Sequence, residues 1–183
     1  MRTALIGGIG NVLLGDDGVG PYIVRLLASQ YSFGDDVELA DLGTPALDLT
    51  HQIVGLRALI LVDSVAGEEP PGTVKLFHRE DILRVVPAER LDPHSPALSE
   101  CLLAAEMLGA SPKHVLLVGI AGESYGPGEP LSAPVREAVE RAVNAVLLEL
   151  RQMDYFWQKK AIPSAPDIWW SENYHAEGIP SRG

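Results

Sequence analysis

The sequence predicts an α/β protein, a three-layer α/β/α sandwich around a mostly parallel, twisted sheet of about five strands. Three observations carry that prediction. Short apolar runs alternate with longer segments of helical periodicity, in the order βαβαβ…αβα. Leu56 to Val62 (LRALILV) is nearly all apolar, as a parallel strand covered on both faces should be. A glycine-rich loop joins the first strand to the first helix, the kind of connection at which α/β sheets gather ligands.

Each element follows in order. Residues 3–6 read as a buried strand that breaks into Gly7, Gly8 and Gly10 and continues to Asp16, Asp17, Gly18 and Gly20. Pro21 suits the first turn of a helix, and the two acids sit at or just before its N-terminus, where negative charge is stabilised. Tyr22, Ile23, Leu26 and Leu27 give that helix an apolar face to about Tyr31, and Gly34-Asp35-Asp36 makes a turn. Val37 to Leu42 is a second strand ending at Asp41-Leu42-Gly43-Thr44. Thr44 is an N-cap candidate, followed by Pro45 and an apolar face of Ala46, Leu47, Leu49 and Ile53. The third strand, Leu56 to Val62, stops at Asp63-Ser64. Residues 67–72 (GEEPPG) form a connector, Thr73 to Phe77 a short edge strand, and Glu80 to Val86 a helical turn. In the loop Leu91 to Pro96, Ser95 caps a helix marked by Leu98, Leu102, Ala105 and Leu108, which Gly109 ends. Val115 to Ile120 is another buried strand, and 121–131 a Gly/Pro loop. Val135 to Met153 is a long helix with Val135, Val139, Val143, Val146 and Leu150 inward.

This organisation gives one domain, 1–154, and a tail, 155–183. The tail holds Trp157, Trp169, Trp170, Tyr155, Phe156 and Tyr174 without periodicity, and its charges cancel, so the net charge of −11 lies in the domain. Packing back on the body, docking on a partner and simple fraying are all compatible with that composition. With 183 residues and 46% apolar content the chain can bury a real core. Its acidity repels phosphate backbones and argues against nucleic acid as a partner. A single cysteine, Cys101, rules out an intrachain disulfide and favours a cytoplasmic setting. Glycines interrupt the apolar N-terminus and acids follow it, so a signal peptide is not expected. No run approaches the roughly 20 apolar residues that span a bilayer.

Three chemistries compete for the loops. A dinucleotide site needs a third glycine where Leu13 stands, and Asp16 and Asp17 would put negative charge where pyrophosphate sits. No G-K-[ST] follows, so a P-loop is excluded. A metal or metal-recognition site fits better. Asp17 lies beyond strand one, Asp63 ends strand three and His94 sits in a Pro-flanked loop, together a mixed O/N ligand set with open positions. Taken singly, each has a plainer reading as a cap, a turn or a solvated histidine, and spacing alone does not decide. Cys101 reads as a small buried hydrophobe inside a helix rather than a nucleophile. His51, His78, His114 and His175 lie in surface or packing contexts.

The chain resembles the hydrogenase maturation proteases, endopeptidases that trim the C-terminus of the large subunit of [NiFe] hydrogenases. The matching stretches are GIGNVLLGDDGVG (8–20), DLGT (41–44), LVDSVAG (61–67), the histidine of LDPHSP (91–96) and HVLLVGIAGES (114–124). They keep their order across roughly residues 1–153. The resemblance implies a monomeric peptide hydrolase acting on the large-subunit precursor, with nickel carried by that precursor. It also implies that Asp17, Asp63 and His94 contact the metal and carry catalysis. Asp16 is then the helix-start neighbour rather than a ligand. The DLGT loop resembles the family's D-G-G-T substrate-recognition box, which makes Asp41, Gly43 and Thr44 recognition residues, with Leu42 departing from the box. Two mechanistic routes stay open: the nickel polarises the scissile carbonyl or its water, or it only positions the substrate while a carboxylate acts as base. A non-enzymatic nickel-site assembly factor using the same three ligands, and a nucleotide-binding module, are the rival readings.

Overall fold

The computed structural model describes residues 2–45, 49–84 and 96–166. Its elements are β1 (Ala4–Ile9), a 3-10 turn (Gly15–Gly18), α1 (Val19–Gln30), β2 (Tyr31–Phe33), β3 (Val37–Gly43), α2 (Leu49–Ile53), β4 (Ala58–Val65), β5 (Val74–His78), α3 (Arg79–Arg84), α4 (Pro96–Met107), β6 (His114–Ala121), α5 (Ala133–Gln152) and β7 (Trp157–Lys159). The main sheet has the order β3-β1-β4-β6-β5, and β2 and β7 form a separate two-stranded ribbon. The first four strands of the main sheet are parallel. β5 is an antiparallel edge on β6. Its direction follows from chain length, because the connector 66–73 is too short for the crossover that a parallel return needs.

Strand alternation sorts the core into two layers. Ala4, Ile6, Ala58, Ile60, Val62, Leu116, Val118 and Ile120 face α1 and α5. Leu5, Ile9, Leu59, Leu61, Val115 and Leu117 face α2, α3 and α4, where Cys101 is buried among Leu98, Leu102 and Ala105. The expected three-layer sandwich is therefore the observed one, and Cys101 packs as a hydrophobe.

The structure departs from the sequence reading at several places. β1 runs to Ile9, so Gly7 and Gly8 belong to the strand rather than to the loop after it. Thr44 and Pro45 lie outside α2, which begins at Leu49. β4 runs through Asp63 and Ser64 to Val65, so Asp63 is paired within the sheet, opposite Gly119, rather than lying past a strand end. α1 ends at Gln30, and Tyr31 already begins β2, a strand too short to show periodicity. β2 exists because residues after α5 return to it, with Tyr31, Ser32 and Phe33 opposite Lys159, Gln158 and Trp157. The predicted Ser95 cap and residues 85–95 and 167–183 lie outside the described residues, as do Ala46, Leu47 and Asp48.

The end of α5 shows how that return is set. Asp154 takes a left-handed conformation (φ 61°), and the Tyr155 N–H reaches back to the Leu150 carbonyl at 2.9 Å. This is a helix-stop geometry that Asp tolerates better than most side chains. It drives Tyr155 into the core at 6% exposure. Trp157 then stacks edge-on to Tyr31 at 5.7 Å, lies under the Arg151 guanidinium at 4.9 Å, and donates its indole N–H to the Leu147 carbonyl.

Candidate active site

Strand order locates the site. From β1 the chain crosses to β3 on one side and then returns to β4 on the other, so β1 and β4 flank the point where the winding reverses. Open parallel sheets bind ligands at the carboxyl ends of such strands. Asp17 follows β1 and Asp63 lies in the paired end of β4, two residues before its last, with Gly8 paired to Val62 between them. The 3-10 turn that carries Asp17 packs against the β4 end. Both carboxylates are more than nine-tenths buried: Asp17 is 6% exposed and Asp63 4%. By strand parity Asp63 lies on the layer of α2 and α4.

Close backbone approach explains the glycines of this loop. Gly10 has φ +130°, and a Cβ there would stand 1.8 Å from the Asp17 carbonyl oxygen. A Cβ on Gly20 would meet the carbonyls of Ile9 and Val62 at 2.3 and 2.4 Å, so α1 can start only where it touches both strands. The turn thus folds back on its own strand. Asp17 Oδ2 accepts the Asn11 N–H at 2.7 Å, and Asn11 Oδ1 accepts the Leu13 N–H at 3.0 Å. A loop amide that a phosphate would use is taken by a carboxylate of the same loop, which argues further against nucleotide binding.

Asp16 has a different environment. It is fully buried, and its carboxylate accepts the backbone N–H groups of Glu123 (2.8 Å), Ser124 (3.0 Å) and Ser132 (2.7 Å). It is more than the helix-start neighbour that its position suggests, because it ties the acidic turn to the segment between β6 and α5. Nothing in the spacing signals this, since its partners lie more than 100 residues away.

The DLGT residues lie at the same sheet edge. Asp41 Oδ1 accepts the Gly43 N–H (3.1 Å) and Oδ2 pairs with Arg25 of α1 (3.2 Å). Gly43, at φ +57°, accepts the Gly10 N–H at 2.8 Å, so this loop and the glycine loop are joined directly. The register shifts here: Gly8 pairs with Asp41 but Ile9 with Gly43, and Leu42 is the extra residue. Leu42 packs against the α2–α4 layer, and Thr44 is exposed. His94 lies outside the described residues. Among the described residues no group of three or more His, Cys, Asp or Glu side chains is arranged to hold a metal ion. Two open polar clefts, of about 400 and 370 Å³, lie at the opposite edge around Arg79 and Lys113, and neither is lined by Asp17 or Asp63.

A sequence model described as hydrogenase maturation protease matches residues 21–149, well over half of the chain. The chain belongs to the hydrogenase maturation protease family. It is therefore a peptide hydrolase of the hydrogenase-maturation class. It is 32% identical over 149 residues to the hydrogenase 2 maturation protease of Escherichia coli K12, covering 81% of this chain and 90% of that one. The hydrogenase expression/formation protein HupM of Azotobacter chroococcum is 36% identical, with 81% and 71% covered. Among solved structures, the hydrogenase maturating endopeptidase HybD from E. coli superposes with a TM-score of 0.81 at 31% identity, covering 88% of this chain and 99% of that one. The family's α/β/α fold is the one described above. No helix among the described residues is long and apolar enough to cross a membrane.

Proposed function

We propose that this protein removes a C-terminal peptide from the large-subunit precursor of a [NiFe] hydrogenase after nickel has been inserted, and that it acts as a monomer in the cytoplasm. Nickel enters as part of the substrate, and the recognition set is Asp17, Asp63 and His94. The observation that carries this reading is the delivery of two deeply buried carboxylates to one edge of the sheet, at its point of reversed winding, by adjacent parallel strands. Carboxylates withdrawn from water at one edge favour a cation that approaches them, and a substrate-borne metal would supply it.

Peptide hydrolysis needs an activated water, a polarised carbonyl and a proton for the leaving amine. Asp17, Asp63 and His94 first bind and orient the precursor through its metal. One carboxylate then takes a proton from the attacking water. The DLGT loop, with Asp41, Gly43 and Thr44, lines the approach beside the glycine loop and recognises the precursor chain.

The test is a processing assay. The protein is incubated with nickel-loaded and nickel-free precursor, and the mass of the large subunit is followed. Loss of a C-terminal peptide from the loaded precursor alone is expected; an unchanged mass in that sample would defeat the protease reading. Asp17→Ala, Asp63→Ala and His94→Ala should each abolish processing while keeping the native circular dichroism spectrum.

A further inference from the structure

The segment 122–132 between β6 and α5 has no part in the ligand set proposed above, yet it is tied to the acidic turn on two sides. Asp16 holds it through three backbone N–H groups, the Ser124 carbonyl accepts the Asp16 N–H at 2.8 Å, and the Leu13 carbonyl accepts the Gly128 N–H at 2.8 Å. At the centre of the segment stands Tyr125. Its Oη lies 2.8 Å from Ser64 Oγ, and Ser64, 2% exposed, is the residue that follows Asp63. The ring end lies across Gly122, where a Cβ would come within 2.4 Å of Oη. Any other residue at Gly122 would push the ring out of place.

Tyr125 nevertheless remains 44% exposed. Its hydroxyl end is tethered to buried Ser64 while the residue as a whole stays open to solvent. A tyrosine anchored in this way has surrendered most of its rotamer freedom before a partner arrives, which is what makes an aromatic side chain an effective contact. It also stands at the carboxyl edge, where Ser64 holds it on the face of β4 opposite to Asp63 and Asp16 joins its segment to the turn that carries Asp17.

We propose that Tyr125 is a substrate-binding residue, whose ring packs on the precursor segment next to the scissile bond through apolar contact. The proposal rests on the protease reading above. Two measurements test it together. In the first, p-benzoylphenylalanine replaces Tyr125 in the full chain, and the protein is irradiated with nickel-loaded precursor. A crosslink to the precursor's C-terminal region is expected. None is expected from the same probe at Phe156, which is 60% exposed and lies beside Gly34, ahead of β3, at the other edge of the sheet. In the second, Tyr125→Ala should raise KM roughly tenfold with kcat held within about twofold, as loss of uniform binding requires. Tyr125→Phe, which keeps the ring and loses the tether, should fall between that variant and the wild type. Absence of the crosslink at position 125, or an unchanged KM in Tyr125→Ala, overturns the proposal. Failure of the wild type to cleave defeats the protease reading instead, and the crosslink alone then decides whether Tyr125 touches the precursor.

Discussion

Asp16 and Asp17 are neighbours of the same type with different work to do, and hydrogen bonding separates them. Asp16 spends both oxygens on three backbone N–H groups, whereas Asp17 has one such bond, to Asn11. Removing the Asp16 carboxylate strands three buried donors, so Asp16→Ala should cost about 3 kcal/mol or more of unfolding free energy. Asp16→Asn keeps the shape but turns one acceptor into a donor facing N–H groups, and should cost about 2 kcal/mol. Urea denaturation measures both; a change below about 1 kcal/mol in Asp16→Ala would show that the three bonds add little. Asp17→Ala should lose far less stability, because one bond is removed. The contrast assigns Asp16 to the scaffold and supports the recognition role proposed for Asp17.

At the scale of elements, the site depends on how closely α1 starts against the sheet. Gly20 lets the helix begin in contact with the carbonyls of both β1 and β4, and these are backbone atoms that cannot rotate aside. Gly20→Ala should therefore destabilise the fold by about 3 kcal/mol and lower processing as well, since the turn bearing Asp17 must shift with the helix. Thermal unfolding checks the first effect, and a melting temperature equal to that of the wild type would show that the helix start gives way freely. The same closeness explains why the glycine loop belongs to this protein's own acids rather than to a nucleotide. Asn11 N–H, the amide best placed for an anion, is already bonded to Asp17.

For the whole molecule, the sheet order and the residues after α5 matter most. The tail is not uniform. Tyr155 is buried, its hydroxyl 3.1 Å from Thr3 Oγ1, and β7 completes a ribbon with β2 under the Trp157 ring. Deleting residues 155–183 should thus lower stability by about 3 kcal/mol, the scale of losing a packed large aromatic. Calorimetry reads this directly, and an unshifted melting temperature would mean that the ribbon is not coupled to the core.

The alternation of apolar runs and helical periods was enough to predict a three-layer sandwich, because burial on two faces leaves a local signature in every strand and helix. The glycine loop and the acids of strands one and three were legible for the same reason: a strand end, a turn and a helix start are local events. What sequence could not show is pairing. That β1 and β4 are adjacent, that Asp63 lies inside its strand, that Asp16 grips residues 123, 124 and 132, and that Tyr125 rests on Ser64 are contacts between distant segments. The ribbon of β2 and β7 was hidden likewise, since three-residue strands have no periodicity and gain their bonds only from each other. Local patterning is fixed by which side chains seek burial, and this the chain carries in its order. Which loops meet at one edge is decided only when the sheet assembles, because the hydrogen bonds that join them do not exist until both ends arrive.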